Sequence, residues 1–318
     1  MTVGFEGQAA IVTGAGRGLG RLYALDLAAR GASVVVNDLG GSMRGDGADA
    51  SVAEQVVAEI TSAGGTAVAS YDSVATPEGG AAIVETALAA FGRLDAVVSN
   101  AGIFGTAAFE DMAVEDWRRM IDVHLHGSFY LAQPAFRAMN RDGYGRFVFI
   151  ASSAGLFGQP MSAHYAAAKS GIFGLSNVVA LEGAAHGISA NCVLPFGHSR
   201  MVTETMGDAA EIVANHAAAD SQSSFLAAIV PDLVVPIVTY LASAACTVTH
   251  QAYSACAGRF ARVFAGVADG WVAAEGAPTA DDIAAHFDAV SAPEPHTIPG
   301  SIFDEIITVC DRLGVSLA

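Results

Sequence analysis

Basic residues are scarce in this chain. Fifteen Lys and Arg stand against 32 Asp and Glu, leaving a formal charge of −17 over 318 residues. A surface of that sign repels a phosphate backbone, so nucleic acid is not an expected partner. Cysteine is scarce as well. Cys192, Cys246, Cys256 and Cys310 show no CxxC spacing, which argues against a zinc knuckle or a disulfide framework and leaves buried thiols as the expectation. No metal is expected. No stretch of eighteen or more residues is free of charged or polar interruption, so membrane insertion is not expected either. The opening MTVGFEGQ has neither a basic nor an apolar leader segment, and Val315 to Ala318 spell no peroxisomal address. A cytoplasmic location is the expectation.

Apolar residues, by contrast, make up 53% of the chain, with a mean hydropathy of +0.44. That is enough to bury a large core, as one domain or a domain with an appendage. Ala9 to Val12 runs into Thr13-Gly14-Ala15-Gly16-Arg17-Gly18-Leu19-Gly20, and a helical rhythm follows to Gly31. Strand, glycine loop and helix in that order let a backbone approach a pyrophosphate resting on the helix N-terminus. Ser33 to Asn37 then reads as a second strand ending in Asp38, 18 positions beyond Gly20. A carboxylate there accepts from adenosine ribose hydroxyls and repels a 2′-phosphate, which favours NAD over NADP; Arg17 in the loop pulls the other way and is weighed less. Asp72 and Ser73 close a third strand from Thr66, where Asp72 either holds the adenine amino group or caps the next turn. After a helix from Pro77 to Phe91, a fourth strand (Asp95 to Ser99) ends in Asn100-Ala101-Gly102, small residues suited to a second ribose.

Arg146 to Ala151 reads as a fifth strand delivering Ser152, with Tyr165 thirteen residues on and Lys169 four beyond that. In a helix the last two share a face. YAAAK by itself is either an ordinary helical turn or a device for making a base. Lowering a phenol's pKa by about 3 units takes about 4 kcal/mol, and one ammonium at about 4 Å with an effective dielectric near 20 supplies roughly that. One lysine is therefore expected to suffice, with Ser152 holding a substrate oxygen. A sixth strand, Ser189 to Leu194, stops at Pro195-Phe196-Gly197, where a nicotinamide is expected to lie.

Together, Thr13-Gly14-x3-Gly18-x-Gly20, Asn100-Ala101-Gly102, Ser152 and Tyr165-x3-Lys169 resemble the short-chain dehydrogenase/reductase family. The resemblance implies an α/β, Rossmann-like doubly wound parallel sheet of about seven strands with helices on both faces. It implies that Ser152 orients the substrate, Tyr165 is the acid/base, and Lys169 lowers its pKa and binds the nicotinamide ribose. Where the family places an asparagine, this chain has His124, either a proton-passing imidazole or a structural residue. Val35 to Gly41, Tyr71 to Val74, Val123 to Phe129 and Ser199-Arg200-Met201 more closely resemble the dehydrogenase part of peroxisomal multifunctional enzymes of type 2 and their bacterial relatives. That implies NAD-dependent oxidation of a (3R)-hydroxyacyl-CoA, with a steroid or other secondary alcohol as alternative and a silent NAD-binding scaffold as a remote one. A small acyl-CoA or steroid-like substrate and a homodimer or homotetramer are implied partners.

The remaining segments are less specific. Gly40 to Gly47 (GGSMRGDG) reads as a turn-rich insertion skirting the adenosine end. Val114 to Met139 reads as one long helix, its apolar spacing suited to a packed or oligomeric face. Gly197 to Ala228 looks like a lid, and Phe196, Met201, Met206 and Phe225 either line a substrate pocket or pack the lid. Residues 1–245 are expected to form the catalytic domain, and 246–318 a last strand and an extension packed on it. That extension is either a structural cap or a wall of the acyl or CoA site, with Arg259 and Arg262 offering positive charge.

Overall fold

The computed structural model describes residues 3–197, 227–273 and 276–313. Its chain divides into two compact units, 1–262 and 263–318. Unit one begins with β1 (Ala9–Thr13), buried along its whole length, and β2 (Ser33–Asn37), whose Val34, Val35 and Val36 are each 0% exposed. Such unbroken apolar runs suit parallel strands covered on both faces. They continue as β3 (Thr66–Ser70), β4 (Ala96–Ser99), β5 (Gly145–Ile150), β6 (Ile188–Phe196) and β7 (Gln251–Cys256). The sheet order is β3-β2-β1-β4-β5-β6-β7, parallel throughout, with β8 (Arg259–Val263) as an eighth strand at the edge. Ala257 (φ 51°) and Gly258 (φ 77°) make the two-residue turn into β8, a left-handed pair suited to a hairpin.

Between the strands come α1 (Gly18–Ala29), α2 (Ser51–Ser62), α3 (Pro77–Phe91), α4 (Val114–Ile121), α5 (Gly127–Asp142), α6 (Ser153–Phe157), α7 (Ala163–Gly183) and α8 (Val235–Ala242). One layer holds α2, α1 and α8; the other holds α3, α5 and α7. Helix α3 shows why its ends were readable. Thr76 accepts from Gly79 N–H at 3.1 Å, Pro77 opens the helix, and Gly92 ends it at φ 74°. The expected long helix from Val114 is instead two helices joined by a π-helical turn, Asp122–His126, and it continues to Asp142. Strand β6 also runs past its expected end, through Pro195 and Phe196.

Unit two holds the two-stranded antiparallel pair β9 (Val267–Ala268) and β10 (His296–Thr297), with α9 (Ala280–Ala285), α10 (Phe287–Ser291) and α11 (Ile302–Leu313). Thr279 and Asp282 cap α9 reciprocally, Trp271 stacks on His286 at 4.3 Å, and Arg312 pairs with Asp269. None of its described side chains is buried. Of the four free thiols, Cys192 and Cys246 are buried, while Cys256 and Cys310 are only partly so. No helix among the described residues is long and apolar enough to cross a membrane.

Candidate active site

The sheet order reverses between β1 and β4, and the glycine loop and the Asn100 turn meet at that point. Thr13 Oγ1 accepts from the N–H groups of Asn100 (3.0 Å) and Ala101 (3.1 Å), while Asn100 Nδ2 donates to the carbonyls of Thr13 (2.9 Å) and Gly14 (3.2 Å). This lock needs glycine. A Cβ on Gly14, whose φ is 63°, would stand 2.8 Å from Ala101 Cα, and one on Gly20 would stand 2.1 Å from the Gly14 carbonyl oxygen. Gly18, with φ 53°, faces open space. No side chain caps α1 and no acid sits in its first turn. A cradle of open glycine backbone before an uncapped helix N-terminus fits a pyrophosphate.

Asp38 leaves the end of β2. Its Oδ2 accepts from Gly16 N–H at 2.8 Å and its Oδ1 from Gly40 N–H at 2.7 Å. At the end of β3, Asn37 Nδ2 donates to the Asp72 carbonyl (3.0 Å), Asp72 Oδ2 accepts from Ser70 Oγ (3.1 Å), and Ser73 Oγ accepts from Ala75 N–H (3.2 Å). Arg17 reaches the Gly41 carbonyl at 3.4 Å. Leu19 packs against the core below the loop, and its Cδ2 lies 3.5 Å from where a Gly197 Cβ would stand. Pro195 and the partly exposed Phe196 pair with Ala255 and Cys256 of β7. Met201, Met206, Phe225 and most of the expected lid lie outside the described residues.

Ser152, Tyr165 and Lys169 come together at the end of β5. Ser152 caps α6, accepting from Ala154 N–H at 3.2 Å, and its hydroxyl bonds to Tyr165. Lys169 Nζ donates to the Ile150 carbonyl at 2.7 Å and stands 5.6 Å from the centre of the Tyr165 ring. Tyr165 is 8% exposed and Lys169 4%. Burial dominates both. It pushes the Tyr165 phenol up to about 12, with the Ser152 hydrogen bond offsetting part of this, and it pulls the Lys169 amine down to about 7, with Cys192 opposing. The expectation that one lysine acidifies the phenol is not met by the chain alone. Desolvation disfavours the charge on each partner before either can help the other.

His124 sits in the π-turn, 1% exposed. Its Nε2 lies 2.7 Å from the Ile103 carbonyl oxygen and 3.1 Å from the Ile103 nitrogen. Nε2 accepts from the Ile103 N–H in one tautomer and donates to the Ile103 carbonyl in the other, while Nδ1 is buried without a partner. Burial, then the nearby Lys169, holds its pKa well below the ordinary histidine value. The ring meets Tyr165 edge-on at 5.2 Å, and a Cβ on Gly102 would stand 2.4 Å from its Cε1. The imidazole is wedged under the Asn100-Ala101-Gly102 turn.

Residues 40–47 bond to Asp38 at their root and reach further than the sequence indicated: Met43 packs against the cluster of Ile103, Phe104, Met120, Ala154 and Tyr165. Its carbonyl accepts from Phe104 N–H at 2.9 Å, and Arg119 of α4 donates to the Arg44 carbonyl and to Asp46, both at 3.1 Å. Met43, Phe104 and Arg119 were not singled out from the sequence. The one available signal was a methionine and two charges inside a glycine-rich stretch.

Residues 8–209 match the family described as short chain dehydrogenase. The chain is 42% identical over 260 residues to a short-chain type dehydrogenase/reductase of Mycobacterium tuberculosis, covering 82% of this chain and 86% of that one. To the peroxisomal multifunctional enzyme type 2 of Drosophila melanogaster it is 44% identical over 242 residues, covering 76% of this chain and 38% of that one. The full-length structure of that enzyme matches 98% of this chain and 50% of its own, with a TM-score of 0.77 at 31% identity. The peroxisomal hydratase-dehydrogenase-epimerase of Saccharomyces cerevisiae is 39% identical over 259 residues, 81% of this chain and 27% of that one. The chain therefore spans half or less of each of these multifunctional relatives.

Proposed function

Because the chain belongs to the short-chain dehydrogenase family, whose members are oxidoreductases that bind a nicotinamide cofactor, we propose that it oxidises a (3R)-hydroxyacyl-CoA to the 3-keto thioester with NAD. The observation that carries this reading is the meeting of Ser152, Tyr165 and Lys169 at the end of β5, beside the glycine cradle. The cofactor, when bound, supplies the hydride acceptor. Ser152 holds the substrate oxygen by hydrogen bonding, and Tyr165 Oη takes the hydroxyl proton or, in reverse, returns it. Lys169, as its ammonium, favours the phenolate. Asp38, at the end of β2, stands where ribose hydroxyls are accepted and a 2′-phosphate is repelled, which supports NAD over NADP. Support for the thioester comes from a relative whose name joins a hydratase to a dehydrogenase: hydration of an enoyl thioester makes the hydroxyl that a dehydrogenase oxidises.

A panel of (3R)-hydroxyacyl-CoA thioesters set against 17β-hydroxysteroids, followed by NADH formation, tests the substrate. Turnover confined to the steroids, or to neither class, removes the thioester reading. Asp38→Ala is expected to relax the preference for NAD+ over NADP+ by roughly 10- to 100-fold, about 1.4–2.8 kcal/mol of like-charge repulsion removed. An unchanged ratio of Kd values would mean that another residue sets the choice.

A further inference from the structure

We propose that residues 40–47 form a strap from the ribose-binding carboxylate to the catalytic tyrosine, and that Met43 at its far end determines which alcohols fit beside Tyr165. The inference rests on the alcohol dehydrogenase reading of the site. Three sets of contacts hold the strap. At its root, Asp38 Oδ1 accepts from Gly40 N–H at 2.7 Å and Asp49 N–H donates to the Leu39 carbonyl at 2.9 Å. The crossing there is so close that a Cβ on Gly40 (φ 76°) would stand 2.1 Å from the Asp49 carbonyl oxygen. In the middle, Ser42 N–H donates to the Asp46 carbonyl (2.8 Å), while Ser42 Oγ accepts from the N–H groups of Arg44 (3.2 Å) and Asp46 (3.1 Å), closing a turn with Met43 in it.

At the far end, Phe104 N–H bonds to the Met43 carbonyl at 2.9 Å and Arg119 clamps Arg44 and Asp46. The Met43 side chain, half-buried, packs against the apolar cluster that includes Ile103, Phe104 and Tyr165. Fixing a stretch that contains Gly40, Gly41, Gly45 and Gly47 in one conformation costs backbone entropy, so anchors at both ends and within imply a placed side chain rather than a passive connection. A thioether is unbranched and polarisable, which suits a wall that must meet an apolar substituent on the carbinol carbon.

The test compares Met43→Ala, Met43→Leu and Arg119→Ala with the full wild-type chain. Met43→Ala is expected to raise KM for the best alcohol about 5- to 20-fold and to move the preference toward bulkier substituents, as expected for a lost apolar pocket contact. The kcat and the dinucleotide Kd should change less than about 2-fold, and Met43→Leu should recover most of the KM. An unchanged KM, or a dinucleotide Kd that weakens in the same proportion, overturns the assignment. Two further readings do not depend on turnover. Hydrogen exchange at the Phe104 amide should quicken about tenfold or more in Arg119→Ala. In Met43→Ala, ultraviolet titration of Tyr165, with Tyr165→Phe as the blank, should move toward an ordinary tyrosine. If no alcohol is oxidised even by the wild type, the substrate reading falls, and these two measurements decide the strap: both moving sustains it, and neither moving overturns it.

Discussion

At Tyr165 and Lys169, desolvation and mutual attraction compete, and desolvation wins in the chain alone. Tyr165 is held protonated, with its pKa near 12, so the phenolate needed for alcohol oxidation becomes more available as pH rises. The rate of oxidation under saturating cofactor is therefore expected to climb through the alkaline range, while the reverse reduction, which uses the phenol, falls. A flat profile in both directions would show that Tyr165 does not carry the proton. Lys169 makes a separate contribution, to stability. Its folded pKa lies near 7, against about 10.4 in an unfolded chain. Between those values the unfolded state holds the extra proton, so stability rises with pH across that window and is lost as pH falls toward 7. Lys169→Met should abolish this slope and raise the melting temperature near neutrality. The upper limit of the gain is roughly 4 kcal/mol, less about 1–3 kcal/mol for the Ile150 carbonyl left without its donor. Melting temperatures of both proteins from pH 7 to about 10 would show it. Residue types and spacing named these side chains; their burial, which sets their charge, is a property of the packing and could not be read from YAAAK.

The element scale explains what was legible and what was not. Strands β1 and β2 announce themselves as apolar runs, and α3 is bracketed by Thr76, Pro77 and Gly92, each acting within one turn of its own position. The π-turn at Asp122–His126 leaves no such mark, because one extra residue in a helical ladder changes hydrogen-bond register and not composition. The strap at residues 40–47 shows the same limit: its glycines signal a loop, but the partners that direct it, Phe104 and Arg119, lie some 60 to 75 positions away. The π-turn has a consequence for the Asn100-Ala101-Gly102 turn, because it sets the His124 ring where a Gly102 Cβ would go. Gly102→Ala is expected to destabilise the fold by about 1–3 kcal/mol through overpacking. Placed in a His124→Ala background, the same substitution should cost at least about 1 kcal/mol less, a coupling that a double-mutant cycle in denaturant measures. Additive effects would mean that the two do not meet.

For the whole molecule, the order β3-β2-β1-β4-β5-β6-β7 puts the carboxyl ends of β1 and β4 at the reversal point, which is where an open α/β sheet collects ligands. The first unit supports that site with a continuous core running from Phe5 to Ala255. Among the described residues of the second unit there is no counterpart. In α11, Ile302, Phe303, Ile306, Ile307, Val309 and Leu313 are all between 43% and 70% exposed, although their spacing makes one apolar stripe. A helix of 12 residues is marginal in water by itself, and a short chain without buried side chains has little hydrophobic stabilisation to set against its conformational entropy. A peptide of residues 263–318 is therefore expected to show mostly coil by far-ultraviolet circular dichroism and no cooperative melt at room temperature and above. A sharp thermal transition in the isolated peptide would show instead that the capping box at Thr279, the Trp271–His286 stack and the Arg312–Asp269 pair are enough to fold it.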